Sequence, residues 1–160
     1  MTIRATEHPP ILVAHGTRSS RGGNTVAQLA DLVRHRIGPT RVAFVDVLGP
    51  SPRELLEQTP GPALVIPAFL AAGYHVRSDI PEHIAASGHP QVTLCANLGP
   101  DPVLATVLRD RLCAAGWRPG DAVVLAAAGS SDPFALADVE TAARHLGDLI
   151  GHDVAVGYVT

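Results

Sequence analysis

The stretch ILVAHGTRSSRGGNTVAQLADLVRHRI, Ile11 to Ile37, decides the fold. Ile11 to Ala14 is an unbroken apolar run that ends in His15-Gly16-Thr17, and the polar, glycine-rich segment Ser19 to Gly23 follows. From Asn24 onward the pattern changes: Val26, Leu29, Leu32, Val33 and Ile37 recur at spacings of three and four, and Gly38-Pro39 closes the segment. A short apolar run without alternation reads as a strand buried on both faces, and a three-and-four period reads as a helix with one buried side. Glycine and proline then mark the helix end. The stretch therefore predicts strand, loop and helix, with His15 delivered to the loop at the strand's carboxyl end.

The same alternation continues. RVAFVDVL (Arg41 to Leu48), ALVIPAFL (Ala63 to Leu70) and QVTLCANL (Gln91 to Leu98) read as strands, and Ser51-Pro52 reads as a helix cap with proline at the first helical position, leading a short helix through Gln58. AAGYHVRSDIPEHIAASG is turn-rich at first and reads as helix from about Asp79, which leaves His75 just past the third strand. DPVLATVLRDRLCAAG is a helix, DAVVLAAAG a fifth strand, DPFALADVETAARHLGDLI a helix and DVAVGYVT a sixth strand. Apolar strands alternating with helices predict an α/β fold, a mainly parallel sheet flanked by helices on both faces. Ligands in such sheets bind beyond the carboxyl ends of the strands, the edge that receives both His15 and His75.

An internal repeat overlays the two ends of the chain. ILVAHGT and its following helix and strand align with VLAAAGS and its own, so Ala128 stands where His15 stands, Gly129 over Gly16 and Ser130 over Thr17. This predicts one half over residues 1–118, carrying the active histidines, and the beginning of a degenerate second half over 119–160 that lacks a counterpart of the third strand.

Composition narrows the function classes. With 4% aromatic residues and a net charge of -3 the chain offers neither stacking platforms nor a basic face, so no nucleic-acid partner is expected. All 12 cationic residues are arginine, so an anion site must use guanidinium, amide or hydroxyl groups, and no lysine can form a Schiff base. No organic cofactor is expected. Cys95 and Cys113 lie in apolar contexts at no metal-binding or redox spacing and read as reduced thiols. MTIRATEHPP lacks the apolar core of a signal peptide and no run is long enough to span a bilayer, which predicts a cytoplasmic protein with no membrane partner.

A single histidine at a strand end is more often a hydrogen-bonded structural group than a ligand, but two at one sheet edge support each other. Two convergent imidazoles suit divalent iron, cobalt or nickel, and one of them can instead accept a proton near neutral pH. His8, His35, His83, His89, His145 and His152 fall on helices or beside turns and read as surface or structural groups. Thr17, Arg18, Ser19, Ser20 and Arg21 lead into a helix amino terminus and offer an anion amides, hydroxyls and guanidinium groups, with Arg77 able to complete the clamp. The segment has neither the P-loop nor the dinucleotide pattern. Asp46 is a carboxylate in a strand read as buried, so it either reaches the strand's carboxyl end or is paired.

These residues resemble a known family, the sirohydrochlorin chelatases of the CbiX-like, class II tetrapyrrole group. The matching motifs are VAHGTR (Val13 to Arg18), FVDVLGPSP (Phe44 to Pro52), IPAFLAAGYHVRSDIP (Ile66 to Pro81) and ANLGPDP (Ala96 to Pro102). The resemblance implies a chelatase-like fold built from flavodoxin-like halves. It implies insertion of Co²⁺ or Fe²⁺, with Ni²⁺ as a further candidate, into sirohydrochlorin for cobalamin or siroheme. His15 and His75 would flank the metal as ligand and proton acceptor. Asp46 takes a position where many relatives have glutamate and is a candidate third metal ligand; Gly73 and Tyr74 join the arginine-rich loop as candidate substrate contacts. Relatives close the cleft between two halves or two subunits, so a homodimer or a further half is the expected partner. Two other classes compete: a non-catalytic tetrapyrrole or metal binder with an incomplete cleft, and a phosphotransfer enzyme with His15 as nucleophile. The second is disfavoured because Ala14, not arginine, precedes His15-Gly16.

Overall fold

A computed structural model describes residues 9–159. His8, the amino-terminal stretch read for signals and Thr160 lie outside the described residues. The chain divides into two compact units, one built from residues 9–69 and 74–97, the other from 70–73 and 98–159. The boundary expected at 118 is thereby corrected: the helix before it packs on the helix of the second repeat, so it goes with the second unit.

In the first unit the order is β1 (Ile11–Ala14), α1 (Ser20–Ile37), β2 (Arg41–Phe44), α2 (Pro52–Glu57), β3 (Ala63–Pro67), a π-helical turn (His75–Asp79) running straight into α3 (Ile80–Ser87), and β4 (Val92–Leu94). Its four strands form one parallel sheet in the order β2-β1-β3-β4. β1 is central and wholly buried, as its unbroken apolar run requires. Ile11 and Val13 join Ala43, Leu55, Leu56, Ala63, Val65 and Ile80 in one core, while Leu12 and Ala14 are buried on the opposite face by strand alternation.

The second unit contains α4 (Pro102–Ala114), β5 (Val124–Ala128), α5 (Pro133–Ile150) and β6 (Ala155–Val159). β5 and β6 are parallel and form a sheet of their own, so the six strands expected in one sheet fall into two. Its smaller core gathers Ala105, Val123 and Leu146. The expectation that both faces of β5 are covered is also corrected. Val124, Ala126 and Ala128 alternate on an exposed face and only Leu125 and Ala127 turn inward. A run of alanines cannot distinguish a strand buried on two faces from one buried on a single face.

Three helices start on the same local code. Ser51 makes a capping box with Glu54, and Asp101 and Asp132 accept the amides of Val103 and Phe134. Each cap is followed by proline at the first helical position, where the missing N–H costs nothing. On α1 only Ala30 is buried and Val26, Leu29, Val33 and Ile37 flank it half-buried, whereas Leu32, expected in the same stripe, is 65% exposed. Among the described residues no helix is long and apolar enough to cross a membrane.

Candidate metal centre

β1 and β3 are adjacent and parallel, so the residues that follow them emerge at one edge of the sheet. His15 follows β1 directly and His75 opens the π-helical turn, eight residues after β3. Their rings meet edge to face, with centroids 4.4 Å apart and planes at 83°. Phe69, which the sequence reading passed over, lies 6.4 Å from each ring, and Tyr74 lies 6.3 Å from His75.

Both tautomers follow from the chemistry of the partners. His15 Nδ1 sits 3.1 Å from the carbonyl oxygen of Gly16, which can only accept, so Nδ1 carries the proton. His75 Nδ1 sits 2.5 Å from Asp79 Oδ2, and an ionised carboxylate likewise only accepts. Each imidazole therefore keeps its lone pair on Nε2. The two imidazoles stand 4.4 Å apart between centroids at one sheet edge, each with an Nε2 of the kind that binds a metal at about 2.0–2.1 Å. His89 shows the contrasting, structural case: Nε2 donates to the carbonyl of Thr59 and Nδ1 accepts from the Gln91 amide, leaving no lone pair to spare.

Asp79 is the residue that sequence reasoning missed. With the helix read as starting at Asp79, nothing placed that carboxylate beside His75. The π-helical turn begins instead at His75, puts the two residues four apart on one face, and seats the Ile80 amide on the His75 carbonyl. The signal was the i, i+4 spacing in HVRSD, masked by the glycine and alanines before it.

Asp46 is not in a buried strand. β2 stops at Phe44, because Leu48 donates to the Asp46 carbonyl across Val47, a γ-turn with Val47 at φ 65°. The Asp46 side chain is exposed and accepts from the Val47 amide at 2.7 Å. Its backbone serves the site instead: the Asp46 amide donates to the His15 carbonyl at 2.9 Å. Gly16 faces this turn at φ 96°, and a Cβ there would lie 1.9 Å from the Asp46 oxygen, so only glycine lets β1 and the β2 loop close around His15. Among the described residues no three His, Cys, Asp or Glu side chains converge to hold an ion.

The arginine-rich segment is helix rather than loop. α1 starts at Ser20, not Asn24, so Ser20 and Arg21 occupy its first turn. Ser19 is the cap residue but makes no side-chain cap bond, and its amide donates to Thr17 Oγ1 at 3.1 Å. Gly22 closes against the Thr17 methyl, where a Cβ would come within 2.5 Å. Arg18, Arg21 and Arg77 are all exposed. Tyr74 is exposed beside His75, whereas Gly73 belongs to the second unit and packs near Ala135 and Ser130. A groove of about 430 Å³ lined by Val45, Arg53, Asp79, Glu82, His83 and Ala86 adjoins Asp79 but includes neither imidazole of the pair. That places half-buried His83 beside a groove.

The chain is similar to known proteins over most of its length. The CbiX family model matches residues 9–115. A sirohydrochlorin cobaltochelatase from Methanothermobacter thermautotrophicus is 29% identical, with 64% of this chain and 88% of that protein covered. SirB from Bacillus subtilis, solved with Fe³⁺, is 25% identical with a TM-score of 0.82; the match covers 95% of this chain, which spans 65% of SirB. CbiX described as the terminal enzyme of siroheme biosynthesis in denitrifying bacteria shares the fold, at 22% identity and a TM-score of 0.71, over 94% of this chain and 69% of that one. A family model that covers the whole first unit, with both histidines inside it, leaves one conclusion: the chain belongs to the CbiX family.

Proposed function

We propose that this chain is a sirohydrochlorin chelatase, an enzyme that inserts Co²⁺ or Fe²⁺ into the tetrapyrrole, with His15 and His75 as its working groups. The observation that carries the reading is the edge-to-face imidazole pair with both Nε2 lone pairs free, in a chain whose relatives are named for that reaction.

Insertion replaces two pyrrole N–H protons by M²⁺, so the site must strip water from the ion, present it and take up protons. Two protein ligands suit a substrate metal better than three or four. They hold the ion while leaving positions open for the macrocycle nitrogens, and a closed cage would keep it. As the ion passes to the macrocycle nitrogens, the imidazole released from it can take one pyrrole proton, and the second proton leaves to solvent. Imidazole accepts cobalt, iron and nickel alike, so the residues set the reaction and not the metal. Sirohydrochlorin is a polycarboxylate. Exposed Arg18, Arg21 and Arg77, the hydroxyls of Thr17, Ser19 and Ser20, and the free amides of the first turn of α1 can grip its rim. Exposed Tyr74, edge-on to His75 at 6.3 Å between ring centroids, is a further candidate substrate contact. A second copy of the chain or a further half would complete the cleft, and Asp46 serves the pair through its amide, which donates to the His15 carbonyl.

The test is an anaerobic assay of the purified chain with sirohydrochlorin and Co²⁺, Fe²⁺ or Ni²⁺, followed by the change in tetrapyrrole absorption. Metal-dependent conversion far above the protein-free rate supports the proposal. Stoichiometric binding of tetrapyrrole or metal without conversion would replace it with a binding protein.

A further inference from the structure

His15 and His75 can serve one ion only if their Nε2 lone pairs point at the same place, so one ring must be registered against the other. The hydrogen bond of His75 runs to Asp79, four residues along its own helical turn. That of His15 runs to the carbonyl of the very next residue, Gly16, and His15 is exposed. Each bond orients a ring against its own stretch of backbone, and neither ties the two rings together. Phe69 neighbours both. Its ring centroid stands 6.4 Å from each imidazole, tilted at 52° to His15 and 32° to His75, within the range in which tilted aromatic pairs attract. Phe69 follows β3 by two residues, is half-buried, and packs on the core cluster that contains Ile11 and Val65. The Ala68 amide just before it donates to the Val13 carbonyl at 2.7 Å, which laces the end of β3 to β1 two residues short of His15. All three rings belong to the first unit.

We propose that Phe69 is a positioning residue for the metal site: a flat ring seated on the core that packs against both imidazoles and holds them edge to face. A rigid aromatic plane registers two neighbouring rings in a way that an aliphatic side chain of several rotamers does not. The site depends on it because, among the described residues, no third ligand side chain converges with the pair. With two ligands, no further metal–protein bond is present to correct a misdirected ring. The proposal rests on the function proposed above for the His15 and His75 pair.

The test uses the full chain and compares Phe69→Leu, which keeps an apolar group on the core but removes the flat ring, with Phe69→Tyr, which keeps the ring. The first readout needs neither metal nor tetrapyrrole: nuclear Overhauser effects between ring protons. In the parent they should link Phe69 to both imidazoles and His15 to His75; absence of the Phe69 effects overturns the proposal without any variant. Phe69→Leu should lose the His15–His75 effect, while the ring signals of His89, held by Thr59 and Gln91 away from the pair, stay in place. The second readout is steady-state insertion of Co²⁺ into sirohydrochlorin. Displacement of a working group by about 1 Å can lower turnover on the order of 100-fold. Phe69→Leu is therefore expected to lower kcat roughly 10- to 100-fold with little change in KM for sirohydrochlorin, and Phe69→Tyr to stay near the parent in both readouts. Phe69→Met, apolar and flexible, should behave as Phe69→Leu does and serves in its place should that variant fail to fold. A His15–His75 effect that survives in the leucine or methionine variant overturns the proposal. So does its loss in Phe69→Tyr, or a disturbance of His89 as large as that of the pair, which would report general loosening. If the parent inserts no metal but the ring effects respond as expected, the positioning role stands and the functional reading is what fails.

Discussion

His75 and Asp79 form one unit across a single π-helical turn, with Nδ1–H of the imidazole donating to the carboxylate at 2.5 Å. The bond fixes the tautomer and ring orientation of His75. A carboxylate behind a metal-facing imidazole is worth about 10- to 100-fold in metal affinity or activity.

Asp79→Ala is accordingly expected to reduce kcat/KM for Co²⁺ about 10- to 100-fold, with Asp79→Asn intermediate because its amide oxygen can still accept the Nδ1 proton. Steady-state kinetics with the metal as the varied substrate checks it. Kinetics for Asp79→Ala equal to those of the parent would remove Asp79 from the site.

Gly16→Ala should destabilise the chain. Its φ of 96° is strained for any residue with a Cβ, and that Cβ would overlap the Asp46 oxygen. Backbone strain of this kind alone costs on the order of 1–3 kcal/mol, and the overlap adds to it. The unfolding free energy from urea titration should fall by at least that amount, read as a lower midpoint at unchanged slope; an unchanged midpoint would mean that the γ-turn at Val47 yields easily.

Much of this arrangement is legible in the sequence. The unbroken run Ile11 to Ala14 is β1, the cap-and-proline pairs mark three helix starts, and the two strand-following histidines do come together. What was not legible depends on where elements end. A γ-turn with valine at positive φ has no sequence signature, so the apolar pattern runs β2 four residues too far and puts Asp46 inside it. Gly73 before Tyr74 reads as a turn, although the helical path begins at the next residues, and that hid Asp79. The three alanines closing β5 look equally at home inside or outside, so the open face of the second sheet could not be foreseen.

The capping box of α2 gives a pH signature. Hydrogen bonds from the Ser51 amide and hydroxyl hold the Glu54 carboxyl below its usual range. A carboxyl with a depressed folded-state value adds stability above its unfolded value, and that stability fades as pH falls through the folded one. Ser51→Ala should therefore cost about 1 kcal/mol at neutral pH, and the gap to the parent should narrow in acid below the normal glutamate range. Urea midpoints across that range test it; a gap that widens in acid contradicts the assignment.

The two thiols should differ in reactivity. Burial pushes the Cys95 thiol up, so less of it is thiolate at any given pH, while Cys113 is exposed at the end of α4. Iodoacetamide at mildly alkaline pH should label Cys113 first in the native protein, as mass spectrometry of the peptides would show. Faster labelling of Cys95 would mean that β4 and its flank open readily.

The central claim is that His15 and His75 act together on one ion, and a kinetic cycle tests it most directly. His15→Ala, His75→Ala and the double variant are compared in Co²⁺ insertion into sirohydrochlorin. Groups that work as a unit are strongly non-additive, so removing either should cost nearly as much as removing both. The account predicts that each single variant loses at least about 100-fold in kcat and that the double variant is no worse than the weaker single one. Multiplying losses, or a single variant that turns over like the parent, would contradict it.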